Sequence, residues 1–326
     1  MHKLAFLLMP EFSHLGLAAA IEPLFLANWL EQRTLFEWTI VSRDGQPVRA
    51  SNGVLAPVDG DLASAAGSAT VFVLASFDPH HVVRDAAVLA WLRRTARAGA
   101  EVGGIENGSL VLAEAGLLDG LEAAIHWDNR VGFEERYPKV RAVDQLFARS
   151  GRRLSCAGAA AILDLMVAWI GWQGLPELAG EVADHLLLGR ARDAASPQRP
   201  ARAARLAVAD ARVAAAQAIM RDHLEEPLPC HAIAAHVGLS LRQIERRFDR
   251  ELGRSVVAEY LLLRLARAHQ LLQQTEASVT DISIACGFAS PAYFSRLYRR
   301  TFGCSPSTDR RQSTTAPVFR YAAVAR

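Results

Sequence analysis

The sequence predicts an α/β domain with a parallel sheet between helices, joined to a smaller all-α domain that holds one helix–turn–helix unit twice. Three observations carry that prediction. Up to residue 188, short apolar runs alternate with helical patterns, whereas beyond about residue 204 the pattern is helical alone. The charge divides with it: residues 1–200 carry 18 Lys and Arg against 23 Asp and Glu, and residues 201–326 carry 18 arginines against 11 acids. Within the arginine-rich part a segment recurs about 50 residues later. Its 326 residues suit two domains better than one.

Lys3–Met9 is a continuous apolar run and reads as the first strand. A helical pattern follows from Ser13 to Leu30, with Leu17, Ile21, Leu24 and Asn28 on one recurring face. Phe36–Ser42 and Thr70–Ala75 are short, β-branched and bounded by polar or Gly/Pro residues, as strands are. Asp85–Ala98 reads as a helix closed by Gly99, and Ala100–Ile105 as another buried strand. Cys156–Ile170 and Glu177–Leu188 read as two further helices. Strands that are apolar throughout belong in a parallel sheet covered on both faces.

Gly189–Ala204, with two prolines, a serine and several arginines, has no apolar period and reads as an extended linker. The expected organisation is therefore a domain over 1–188, a linker over 189–204, a domain over 205–309 and a frayed tail over 310–326. The longest apolar stretch, Ala159–Gly171, is broken by Asp164, so no bilayer span is expected. Met1–Met9 is too short an apolar run for an export signal, so the expected compartment is the cytoplasm. Cys156, Cys230, Cys286 and Cys304 lie far apart without zinc spacing. Reduced thiols are expected, with no metal and no cofactor.

The repeat aligns Ile233–Ser240 with Ile282–Ser290, then Ile244 with Phe294, Arg246 with Arg296, Phe248 with Tyr298 and Gly253 with Gly303. Gly238 and Gly287 suit the tight turn between two helices. Ser240 and Ser290 suit the N-cap of the second helix, where Pro291 sits at a position that needs no N–H. Ile244 and Phe248 fall on the core side, leaving Arg242, Gln243 and Arg246 for recognition. In the second copy Phe294 and Tyr298 face inward and Ala292, Tyr293, Arg296, Arg299 and Arg300 outward. Arginine reads guanine with two hydrogen bonds and glutamine reads adenine. Val256–Gln273 joins the copies as one long helix, with Arg264 and Arg267 on a basic stripe. A plain helical bundle with solvated arginines is the alternative, which two aligned copies disfavour.

The segments IAAHVGLSLRQIERRFDRELG and ISIACGFASPAYFSRLYRRTFGCSP resemble the paired motifs of the AraC/XylS family of bacterial transcription regulators. The resemblance covers roughly residues 212–309. It implies recognition helices in successive major grooves, about 34 Å apart, with contacts from Ser240, Arg242, Gln243, Arg246, Arg247, Ser290, Ala292, Tyr293, Arg296 and Arg300. Two positions depart from the pattern: Cys230 replaces the usual leucine and Ser283 the usual alanine. Ala292 points to fewer base contacts by the second copy.

In the first half, a buried strand runs into Gly104-Ile105-Glu106-Asn107-Gly108 and a helix follows at once. That is the frame of a nucleophile elbow, which presents its middle side chain at the C-terminal edge of a sheet. The middle residue here is Glu106. This segment and the LAEAGLLDGLEAAIHWD after it resemble the PfpI-like branch of the class-I glutamine-amidotransferase-like superfamily, over about residues 1–188, with a flavodoxin-like sheet. More narrowly, AAAIEPLFLAN, VRASNG, SCAGAAAILDLM and VADHLLLGRAR resemble the regulators that fuse this domain to an AraC-type reader.

Superfamily enzymes carry cysteine at the elbow, so Glu106 implies loss of catalysis; Cys156 is expected at the start of a helix, away from the elbow. The resemblance to members with an acidic elbow implies a sensor of amino or quaternary-ammonium metabolites such as betaine, carnitine or arginine. Glu106 would pair the cation and Trp127 would offer its ring face. Glu22, Asn28 and Asn52 lie in matching stretches and are candidates for the same cleft. Bland roles compete for each: a surface pair for Glu22, core for Trp127, a packed histidine at His126, a turn for Asn107. The resulting expectation is a metabolite-controlled, homodimeric activator that binds promoter DNA and works with RNA polymerase, with no membrane partner. Two alternatives stand beside it: a hydrolase or amidotransferase-type enzyme with a DNA-binding appendage, and a constitutive DNA binder whose first domain is a dimerisation platform.

Overall fold

The computed structural model describes residues 1–76, 84–189, 191–198, 210–275 and 277–314. The chain divides into two compact units between Gln198 and Arg199. Of the expected linker, residues 190 and 199–204 lie outside the described residues, as do residues 315–326 of the expected tail.

In the first unit, β1 (His2–Leu8), β2 (Phe36–Val41), β5 (Thr70–Ala75), β6 (Glu101–Glu106), β9 (Phe147–Ser150) and β10 (Arg153–Cys156) form one sheet in the order β2-β1-β5-β6-β10-β9. All neighbours pair in parallel except β9, which runs antiparallel beside β10. Two small ribbons, β3 (Val48–Arg49) with β4 (Leu55–Ala56) and β7 (Glu122–Ala124) with β8 (Arg141–Val143), stand apart from it.

Helices cover both faces, and side-chain alternation along each strand assigns residues to them. Leu4, Phe6, Leu8, Phe72, Leu74 and Ile105 pack with α1 (His14–Leu30), a helix over Ala161–Trp172 and another over Pro176–His185. Ala5, Leu7, Val71, Val73 and Val102 pack with α2 (Ala86–Arg97), α3 (Gly108–Glu114) and α4 (Arg130–Arg136). This is the flavodoxin-like layering that the buried strands predict. Helices over Ala161–Trp172 and Pro176–His185 are α5 and α6.

Three expectations need correction here. Cys156 ends β10 rather than starting a helix; the helix begins at Ala161. Residues 191–198 do not run free as a linker but are held on the first unit: Arg192 pairs with Asp164 at 2.6 Å, and Ala194 O accepts from Leu146 N at 2.9 Å. The tail does not begin at residue 310, because a final helix runs over Pro306–Thr314 and Arg310 Nε donates to Leu272 O.

The second unit is helical throughout its described residues: α7 (Ala211–Asp222), α8 (Cys230–His236), α9 (Leu241–Leu252), α10 (Val256–Gln274), α11 (Val279–Ala285), α12 (Pro291–Phe302) and α13 (Pro306–Thr314). The pairs α8–α9 and α11–α12 are the two copies of the repeat. Gly238 and Gly287 take φ of 68° and 73° at the two turns, the left-handed backbone that glycine adopts without strain. Ile244 and Phe248 are fully buried in the first copy, as are Phe294 and Tyr298 in the second.

An arginine from the preceding helix clasps each turn. Arg212 of α7 donates to Val237 O, and Arg264 of α10 donates to Cys286 O at 2.7 Å while lying 4.0 Å from the Phe288 ring centroid. Arg264 is therefore spent on the turn and not on a basic stripe. Ser240 caps α9 with a capping box to Gln243. Ser240→Ala is expected to lower stability by about 1 kcal/mol, read as a shift in the denaturation midpoint of the full chain; an unchanged midpoint would show that the cap contributes nothing.

Candidate functional sites

The elbow is built by close approach. A Cβ on Gly104 would lie 2.4 Å from Ser109 N, and one on Gly108 would lie 2.0 Å from Val73 O, so neither position accepts a side chain. Between them Glu106 takes φ 54°, a left-handed conformation that a non-glycine residue holds only when its surroundings impose it. The strand-to-helix turn read from the sequence is thus present.

Opposite the elbow, Gly158 (φ 106°) and Ala159 (φ 50°) form a second left-handed pair. A Cβ on Gly158 would lie 2.2 Å from Glu106 Cγ, and Ala159 N donates to Glu106 Oε1 at 3.3 Å. The Glu106 carboxylate, half-buried, therefore lies against the loop that follows β10.

Cys156 pairs with Ile105 across the sheet and so stands beside the elbow. Burial pushes its thiol up to about 12, and the nearby carboxylates of Glu106 and Asp164 add to the rise. At neutral pH this sulfur is protonated, whereas a nucleophilic cysteine needs its thiolate. All four cysteines are free, and no metal-holding cluster occurs among the described residues.

The other candidates divide. Asn107 is buried and used at both ends: its amide donates to Ser76 O, and its Oδ1 accepts from Asn129 Nδ2 at 2.7 Å. It braces the turn. Through Asn129 the elbow is tied to the turn that carries Trp127, whose ring is partly exposed and 5.1 Å from that of His126. Asn52 accepts from Val54 N at 3.2 Å and lies 3.4 Å from His14 Nδ1, in the loop beside the C-terminal end of β1. That is the Glu106 edge of the sheet, two strands away, or roughly 10 Å.

Glu22 lies about 12 Å along α1 from its start. It is exposed and meets none of these residues. Asn28 is structural, its Oδ1 accepting from Leu35 N and Phe36 N at 2.8 and 2.9 Å. Sequence reasoning missed Gly158, Ala159 and Asn129. A glycine after a short strand was the available signal for the first two; Asn129 carried none.

On the second helix of each copy the exposure pattern repeats position for position: Arg242, Gln243 and Arg246 of α9 are exposed as are Ala292, Tyr293 and Arg296 of α12. Arg242, Arg246, Arg296 and Arg300 make no hydrogen bond or ion pair to another described residue. Ser240 and Ser290 accept from Gln243 N and Tyr293 N as N-caps, both at 3.3 Å. Gln243 Oε1 accepts from Ser240 N at 2.8 Å, while the residue stays exposed. Arg247, half-buried, pairs with Asp210, the N-cap residue of α7. Arg250 shares the same carboxylate at 3.3 Å.

Comparison with known proteins agrees with both halves. Residues 2–171 match the DJ-1/PfpI family, and residues 233–312 match a helix-turn-helix domain. The HTH-type transcriptional regulator CdhR of Pseudomonas aeruginosa is 43% identical over 94% of this chain and 90% of its own length. The HTH-type transcriptional regulator GbdR of the same species is 34% identical over 94% and 84%. An AraC family transcriptional regulator from Pseudomonas putida, known as a crystal structure, superposes with a TM-score of 0.52 at 26% identity, covering 57% of this chain and 100% of that one. The chain therefore belongs to the HTH-type transcriptional regulators that join a DJ-1/PfpI domain to an AraC-type helix-turn-helix domain.

Proposed function

We propose that this regulator is an activator controlled by a small cationic metabolite of the amino-acid, betaine or carnitine type, held at the elbow of a DJ-1/PfpI domain that performs no catalysis. The observation that carries the reading is Glu106 itself, a carboxylate fixed where an enzyme of this fold needs a thiolate. The protonated, buried Cys156 beside it supports the absence of covalent chemistry. A half-buried carboxylate at a sheet edge gains most from a cationic partner. Trp127, on the turn tied to the elbow, supplies an aromatic face to such a cation.

The promoter-reading surface rests on Arg242, Arg246, Arg296 and Arg300, with Tyr293 beside them. Leu15, Phe25 and Trp29 are each more than half exposed on one face of α1 and support a homodimer. Phe25→Glu with Trp29→Glu is expected to halve the mass measured by light scattering; an unchanged mass would remove α1 from the interface.

The test of the effector reading is a thermal-unfolding panel of amino acids and quaternary ammonium compounds on the full chain. A ligand at 100 times its Kd raises stability by about 2.7 kcal/mol. A panel in which no cation moves the midpoint would favour the constitutive binder, with the first domain as a platform.

A further inference from the structure

Residues 191–198 touch both walls of the elbow site, although they contribute no side chain to it. On one wall, Leu146 joins them to the loop that faces Glu106. Its N–H donates to Ala194 O and its carbonyl accepts from Ala157 N, both at 2.9 Å. Two residues on, Ala159 N–H donates to the Glu106 carboxylate.

On the other wall, Gln198 uses its whole amide. Nε2 donates to Ile125 O and Gln145 O at 2.8 Å each, and Oε1 accepts from Trp127 N at 2.8 Å. That turn continues to Asn129, which holds Asn107 of the elbow. Ahead of both anchors in the chain, Arg192 grips Asp164 with its backbone N–H at 2.7 Å and its guanidinium at 2.6 Å. Asp164 is buried in α5, and its charge, like that of Glu106, is felt at Cys156.

The segment has no large apolar side chain. Only Ala191 and Ala194 pack on the core, so polar contacts hold it down. Release of the segment would leave the Asp164 carboxylate, buried in α5, without its cation, so its docked and released states are energetically distinct. Its last residue, Gln198, is also where the first unit ends and the chain passes toward the DNA-reading unit.

We propose that residues 191–198 are a strap whose docking is coupled to the state of the Glu106 site, so that occupancy of that site is passed to the helix-turn-helix unit through Arg192, Ala194 and Gln198. The proposal rests on the effector reading for the identity of the signal; the coupling can be tested without a ligand. Coupling between two sites is reciprocal. Disturbing either end must therefore be felt at the other.

The experiment is amide hydrogen exchange on the full-length protein, as wild type, Gln198→Ala, Gln198→Glu and Glu106→Gln. Gln198→Ala is expected to speed exchange at Ala159 by about fivefold or more. Gln198→Glu keeps the acceptor for Trp127 N–H and removes both donations, and an intermediate effect is expected. Glu106→Gln is expected to alter exchange at Arg192 and Trp127 in turn. Wild-type exchange at Ala159 in both Gln198 variants, together with wild-type exchange at Arg192 in Glu106→Gln, would overturn the strap.

A second arm adds glycine betaine, L-carnitine or L-arginine to the wild type, with thermal unfolding run in parallel. A compound that raises the midpoint must also change exchange at Arg192, Leu146 and Trp127. A raised midpoint with those amides unchanged would overturn the strap and leave the effector reading intact. If none of the three raises the midpoint while the Gln198 variants loosen Ala159, the strap stands and the effector class is wrong.

Discussion

Glu106→Gln is expected to lose most of the affinity for the effector while keeping the fold. The amide oxygen still accepts from Ala159 N–H, and the side chain still fits beside Gly158, so the left-handed elbow persists. What disappears is the charge. A hydrogen bond to a charged group is worth about 1.5–3 kcal/mol, which corresponds to roughly a tenfold to hundredfold weaker Kd. Calorimetric titration with a compound that stabilises the wild type reads that change directly. A variant that binds as tightly and still responds in transcription would show that the carboxylate does not pair with the ligand. A second variant bears on the enzyme alternative: that reading would return if Glu106→Ala abolished a real turnover of hydrolase-type substrates.

Arg246→Ala and Arg242→Ala are each expected to weaken binding to the specific site by about 1–3 kcal/mol. Both guanidiniums leave the exposed face of α9 with no hydrogen bond or ion pair to another described residue. Loss on the specific site with little change on random DNA identifies a base contact. Equal loss on both identifies a phosphate contact, with a shallower salt dependence. Arg247→Ala serves as the contrast. Its guanidinium is paired to Asp210, so its removal lowers stability first and specificity only as a consequence.

Four strands, β1, β2, β5 and β6, were legible as short runs rich in apolar and β-branched residues, whereas β9 (FARS), β10 (RLSC) and the two small ribbons are too short to show a pattern. Cys156 was misassigned for a local reason. A four-residue strand leads within five residues into an apolar helix, and periodicity does not separate the two. The helix-turn-helix pair was legible because a repeat constrains every position twice. The pairing of Arg247 with Asp210 was not visible in helical spacing, whereas Ser240-x-x-Gln243 is itself the spacing of a capping box.

At the elbow, the two glycines announced the turn. The loop at Gly158 and Ala159 and the grip of Gln198 depend on partners dozens of residues away. Asp164, a lone charge in an apolar helix, was a signal that went unread: a buried carboxylate there needs a cation, and Arg192 supplies it. The segment over 191–198 has a linker's composition and a docked position because its contacts come from distant residues.

The proposed activity is metabolite-controlled reading of specific DNA. It is tested most directly by selecting fragments of the source genome on the full-length protein at a stated, near-physiological salt, with and without a stabilising cation. The expected result is a sharply enriched site with two elements about 34 Å apart, whose recovery changes when the cation is present. No preferred fragment under either condition would contradict it.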